Sequence, residues 1–337
     1  MSEGKRVNYG KFIVESSAAR APSSIRELMR FVSMPGMLNL AGGMPNPGGF
    51  PVSGVKLTLK NGEEIDWSPQ QTNQAFQYGV TWGLPPLVKF LKSMMTLLHG
   101  KQESKAWELL VTTGSQDGLS KSIDMLIDQG DSIILGAPGY PGLLCNLMTK
   151  NANLVSVPMD ANGIDCDAVE AVLANWETGP NAGKPFPKCV YVVPVGCNPS
   201  GATMSYERKV QLVAIASKYD ILILEDDPYF FLTHVIDTEE HLQAPATDVK
   251  AWNCPKSMWE IDTEGRVLRF ESFSKVMSAG IRVGYVMGPT PLIVRLMLHS
   301  QASVLHCSSM TQMTVFTFLN HVGLSGLLSH VRSVRAL

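Results

Sequence analysis

Between Glu108 and Met287 short apolar runs alternate with amphipathic stretches, a rhythm that predicts strands separated by helices. The runs are Glu108–Thr112, Ser132–Leu135, Leu154–Val157, Cys189–Val193, Ile221–Glu225, Val267–Ser272 and Val283–Met287. Most are continuous in Val, Ile and Leu, as strands covered on both faces are, and that favours a mostly parallel sheet. Helical spacing marks Leu87–Leu98, Gln116–Ile127, Asp167–Trp176 and Tyr206–Lys218, with Ser205 placed to cap the last. The alternation predicts a three-layer α/β/α fold around a mostly parallel, seven-stranded sheet.

The flanks read differently. Residues 1–100 are rich in Gly, Pro, Ser and Asn and read as an N-terminal arm and connecting segment; residues 101–337 read as one large domain. A stretch from Thr233 to Thr263, holding Pro245, Pro255 and several acids, reads as a long exposed loop. Two helices are expected after Pro291. Composition excludes more than it assigns. With 337 residues, 45% hydrophobic and 17% charged, and a net charge of -2, the chain can bury a large core and offers no basic run for nucleic acid. No segment approaches the roughly 20 apolar residues of a membrane span, and no apolar signal core follows Met1. Six cysteines lack C-x-x-C spacing and seven histidines include no H-E-x-x-H, so neither disulfides nor a metal site is expected, and a reducing compartment fits.

Candidate chemistry gathers at predicted strand ends, where open α/β sheets bind ligands. Ser272-Phe273-Ser274-Lys275 closes one strand and Arg282 follows. A lysine amine there suits an imine with a phosphate-bearing aldehyde cofactor, pyridoxal phosphate, gripped by Ser272, Ser274 and Arg282. Thr113-Gly114-Ser115-Gln116 stands between strand and helix, where free N–H groups, the Ser115 hydroxyl and the Gln116 amide could hold the phosphate; a plain capped turn is the other reading. Asp226, in Glu225-Asp226-Asp227-Pro228-Tyr229, could pair with a protonated pyridine nitrogen, with Tyr229 reaching the ring oxygen; three acids could also be a solvated strand end. Asn198, in a Pro/Gly-dense turn, could donate to that same oxygen, and Tyr140 offers a face to stack on a flat ring or to pack in the core. The Gly-rich stretch 41–49 matches neither a P-loop nor a dinucleotide fingerprint.

In this order, G-S-Q, P-x-Y, N-P-[ST]-G, D-D-P-Y and S-F-S-K-x6-R, the motifs resemble the fold-type I, pyridoxal-phosphate-dependent aminotransferases of classes I and II, and within them the kynurenine/α-aminoadipate and aromatic group. The resemblance spans nearly the whole chain. It implies transamination of 2-aminoadipate, kynurenine or an aromatic amino acid with a 2-oxo acid such as 2-oxoglutarate, in a homodimer, in the cytoplasm or alternatively the mitochondrial matrix. It gives Lys275 the catalytic role and gives Ser115, Gln116, Tyr140, Asn198, Asp226, Tyr229, Ser272, Ser274 and Arg282 the cofactor. Tyr78 would reach the partner subunit's phosphate, and Arg26, Gly43 and Asn198 would meet substrate. A C-terminal small domain with a carboxylate-binding arginine has no counterpart after Pro291, so impaired turnover is expected. A β-lyase or decarboxylase on the same cofactor, and a non-catalytic cofactor-binding protein, remain the alternatives.

Overall fold

The computed structural model describes residues 7–28, 31, 34–36, 43–233 and 255–335. The N-terminal part carries helices α1 (Glu15–Ala18) and α2 (Ser24–Leu28), a hairpin of β1 (Lys56–Thr58) and β2 (Glu64–Asp66), then α3 (Pro69–Phe76) and α4 (Pro85–His99). The alternating region follows: β3 (Trp107–Thr112), α5 (Ser115–Leu126), β4 (Ser132–Gly136), α6 (Pro141–Met148), β5 (Asn153–Val157), the small ribbon β6 (Met159–Asp160) and β7 (Gly163–Ile164), α7 (Cys166–Ala174), β8 (Cys189–Val192), α8 (Tyr206–Tyr219) and β9 (Leu222–Asp226). After the short helix α9 (Met258–Ile261) come β10 (Val267–Ser272), β11 (Gly284–Pro289), α10 (Thr290–Ser303) and the long α11 (Ser309–Arg335).

Seven strands form the central sheet in the order β3-β11-β10-β9-β8-β4-β5. All pairings are parallel except those of β11, which runs antiparallel to both β10 and β3. The seven predicted runs are therefore the seven strands, with ends shifted by a residue or two. Alternation along each strand feeds two cores. Leu109, Val111, Ile134, Val190 and Ile223 pack on one face, and Leu110, Ile133, Leu135, Leu222 and Leu224 on the other. Ser205 caps α8 as its sequence predicts, its hydroxyl accepting from the Arg208 N–H. The apolar side of α4 (Leu87, Leu91, Met94, Met95) joins the first of these cores, along with α11.

One expectation fails. Of the stretch read as an exposed loop, residues 234–254 lie outside the described residues, but Ser257, Met258, Trp259 and Asp262 are buried. The reason is a long-range cap: the buried Glu225 carboxylate accepts from the N–H groups of Met258 (2.7 Å) and Trp259 (3.0 Å), and so ties α9 to the end of β9. Two hairpins, β1–β2 and β6–β7, have no counterpart in the sequence reading. Among the described residues no helix is long and apolar enough to cross a membrane.

Candidate active site

Parallel strands deliver their C-terminal ends to one edge of the sheet, and the turns there enclose a cavity of about 250 Å³. Ser115, Gln116, Tyr140, Asn198, Asp226, Tyr229, Ser272, Ser274, Lys275 and Arg282 all line it, together with Tyr191, Val193, Pro228 and Ala279. Ten side chains chosen from separate motifs thus meet in one place.

One end of the cavity is built for an anion. α5 starts at Gly114 with no side chain capping it, leaving free N–H groups at the positive end of the helix. Arg282 stands over this point in the left-handed region (φ 51°) and donates to Ser274 Oγ (3.0 Å), to the Ala279 carbonyl (3.1 Å) and to the Thr113 carbonyl (3.2 Å). Its guanidinium passes so close to Gly114 that a Cβ there would lie 2.3 Å from Nη2, and the backbone at 114 has φ +81°. The backbone conformation favours glycine, and a Cβ there would push the guanidinium aside. Ser272 Oγ accepts from the Ser274 N–H at 3.1 Å and so shapes the turn that carries Lys275. Behind that turn, His330 of α11 hydrogen-bonds the Val276 carbonyl at 2.8 Å.

The middle of the cavity is aromatic. The Tyr140 hydroxyl donates to Gln116 Oε1 (3.1 Å), and Gln116 Nε2 donates to the Gly142 carbonyl (2.9 Å). The Gln116 side chain therefore braces the tyrosine, with one of its two amide N–H groups engaged. Burial raises the hydroxyl pKa of both Tyr140 and Tyr229, and the Asp226 charge adds to the effect. Lys275 is exposed to the cavity, its ammonium 5.6 Å from the centre of the Tyr229 ring.

Asp226 closes the far side. Its Oδ2 accepts from the Tyr191 hydroxyl at 2.8 Å, while its buried Oδ1 has no partner. Burial pushes its pKa up to about 7, opposed by the Tyr191 hydrogen bond and assisted by the neighbouring Asp227. An orphaned acceptor at the wall of a ring-sized cavity calls for a donor, and the N–H of a protonated pyridine is one. With the anion cradle at one end and a free amine between, the donor set fits pyridoxal phosphate.

Alternation turns Glu225 and Asp227 to the opposite face, where sequence reading missed their partner. Arg269, inside an apolar run of β10 and in register with Glu225, reaches Glu225 at 3.1 Å, Asp227 at 2.9 Å and also Glu271. Glu225, Asp227 and Arg269 are 0% exposed. Burial pushes Glu271 up to about 8 against the pull of Arg269. Tyr191 is the other residue missed, because a tyrosine within an apolar strand carries no signal of its own.

Two predicted residues lie elsewhere. Tyr78 is 50% exposed, edge-on to His306, and does not line the cavity. Gly43 has φ +58° and is also outside the lining. Arg26 sits on α2, but its side chain, like residues 39–42, lies outside the described residues. Among the described residues no group of His, Cys, Asp and Glu is set to hold a metal ion.

The family model for class I and II aminotransferases matches residues 53–331. The bovine (Bos taurus) kynurenine/alpha-aminoadipate aminotransferase, mitochondrial, is 37% identical over 97% of this chain and 76% of its own length. The aromatic aminotransferase Aro9 of C. albicans superposes with a TM-score of 0.85 at 27% identity, over 98% of this chain and 74% of that one. A kynurenine aminotransferase of Pyrococcus horikoshii, solved with PMP, gives a TM-score of 0.68 at 25% identity, over 98% and 74%. The fold, the cavity and these likenesses agree that this chain belongs to the class I and II aminotransferases and carries out pyridoxal-phosphate-dependent transamination.

Proposed function

We propose that the cavity between the strand ends is the transamination site and that its amino-acid substrates are 2-aminoadipate, kynurenine and aromatic amino acids, with 2-oxoglutarate as an acceptor. The observation that carries the site is the orphaned Asp226 Oδ1 in the same cavity as Lys275 and Arg282. The names of the bovine and C. albicans relatives support the substrate class. Pyridoxal phosphate, when bound, supplies a ring that withdraws electrons from the substrate α-carbon.

The chain's own residues do the rest. Asp226 accepts from the ring nitrogen and keeps it protonated. Asn198 and Tyr229 donate to the ring oxygen, and Tyr140 covers one face. The start of α5, Ser115, Ser272, Ser274 and Arg282 hold the phosphate. Lys275 anchors the aldehyde and then moves a proton at the α-carbon. Arg26 and Gly43 would meet the substrate, as the family resemblance implies.

The reading extends to assembly and compartment. Tyr78, with the neighbouring exposed Val80, Val304 and Leu305, offers an apolar surface to a second copy of the chain, and in a homodimer Tyr78 would reach the partner's phosphate. The word mitochondrial in the bovine relative's name supports the matrix over the cytoplasm.

The test is borohydride treatment of protein incubated with cofactor, followed by peptide mapping, alongside assays with each amino acid and 2-oxoglutarate. Labelling at Lys275, its loss in Lys275→Ala, and oxo-acid-dependent turnover are expected. Labelling at another lysine would overturn the site. Ammonia release without an oxo acid would replace the reaction with a lyase.

A further inference from the structure

We propose that Tyr191 is a positioning residue for the pyridine-binding carboxylate: its hydroxyl engages one oxygen of Asp226 and thereby leaves the other as the single free acceptor toward the ring. This rests on the cofactor site described above and goes beyond it, since neither the motifs nor the family likeness assigns Tyr191 a role.

Strand register makes the contact. Tyr191 on β8 stands opposite Leu224 on β9, so Asp226, two residues further along, shares its face on the diagonal. A tyrosine is long enough to span that diagonal, and the hydrogen bond it makes is 2.8 Å, with both residues buried. A carboxylate held at one oxygen cannot turn freely, so Oδ1 is fixed at the cavity wall.

The phenol is also fixed in its role. Burial, and then the Asp226 charge, raise its pKa far above the ordinary tyrosine value, so across the working range it donates and never accepts as a phenolate. Any proton on Asp226 is therefore directed to Oδ1, the oxygen the ring nitrogen would use. The groups facing Asp226 are Tyr191 from β8, Tyr140 and Cys197 from the turns, and Tyr229 and Asp227 from its own segment. None is cationic. The Tyr191 hydroxyl is the stabilising contact on this carboxylate, where the other acid, Asp227, works against its ionisation.

The experiment uses Tyr191→Phe, which removes one oxygen and keeps the ring in the core. In cofactor-free protein the Asp226 carboxyl is followed by infrared difference spectroscopy across pH, with Asp226→Asn identifying the band. A rise in its midpoint of about one to two pH units is expected in Tyr191→Phe, the size of a hydrogen bond to a charged group. In the loaded enzyme kcat should fall at least tenfold with KM little changed. In the wild-type chain, the Cζ resonance of labelled Tyr191 should follow the Asp226 midpoint without tyrosinate forming; this measurement decides the matter even if the variant folds poorly. An unchanged midpoint, or a Tyr191 signal indifferent to it, overturns the proposal. Unaltered cofactor affinity in Asp226→Asn would instead overturn the site itself.

Discussion

Three consecutive acids end β9, and the two faces of that strand use them in opposite ways. Glu225 and Asp227 point to one side, where both pair with Arg269 and two α9 N–H groups bond Glu225. Asp226 points to the other, where one tyrosine hydroxyl and an unpartnered oxygen are what it has. Asp226 and Asp227 each keep one buried oxygen without a partner, but the acids on one face share a counterion and the acid on the other has none. A fold can hold a buried carboxylate without its counterion when the group is meant for something that arrives later, and the energetic cost is local. The lesson is that buried charge by itself does not mark a site. A missing counterion at the wall of a cavity does.

The difference can be broken from either side. The largest effect should come from Arg269→Met, which leaves three buried acids without their common cation. A loss of about 3–5 kcal/mol is expected, read by urea denaturation or as failure to accumulate folded protein. Stability close to wild type would mean that Glu225, Asp227 and Glu271 take up protons at little expense.

Asp226→Asn should move the balance the other way. Its carboxyl titrates near 7 in the folded chain rather than near 3.8. Between those values the folded form keeps a proton that the unfolded form has released, so stability falls as pH rises through the window. The asparagine variant carries no such penalty. Its cofactor-free melting curves should show a gain on the order of a few kcal/mol at pH 8 and little change at pH 4, while affinity for the cofactor drops on the order of a hundredfold. A gain at pH 4 as large as at pH 8 would contradict this. The smallest expected change is Gly114→Ala, a strained backbone costing about 1 kcal/mol, yet with Arg282 displaced and about tenfold weaker retention of inorganic phosphate in calorimetry.

The sheet was legible because its strands are runs of Val, Ile and Leu long enough to stand out from their surroundings. The hairpins β1–β2 and β6–β7 were not, being two or three residues per strand with polar positions, where turn geometry rather than pattern sets the pairing. The residues that meet in the cavity could be read because each stands in a Gly-, Pro- or Ser-marked turn at a strand end. What stayed hidden were partners distant in sequence. Nothing near Arg269 announces Glu225, nothing near Met258 announces that a carboxylate 33 positions earlier will cap it, and Tyr191 looks like any aromatic in a strand. Local pattern locates the groups that need partners; only the folded register supplies them.

Antiparallel β11 has one more effect. Ser272 and Gly284 face each other across the β10–β11 ladder, and the Phe273 N–H bonds the Val283 carbonyl, so the excursion 273–283 leaves the sheet and returns to the same spot. Lys275 and Arg282 both ride on this closed noose. The span between the amine and the guanidinium is thus gauged by a fixed length of chain, like two jaws on one caliper, and not by the spacing of separate strands. Twisting or breathing of the wider sheet carries both jaws along together, and adding or removing a single residue in the noose would reset the gauge while leaving every strand where it is.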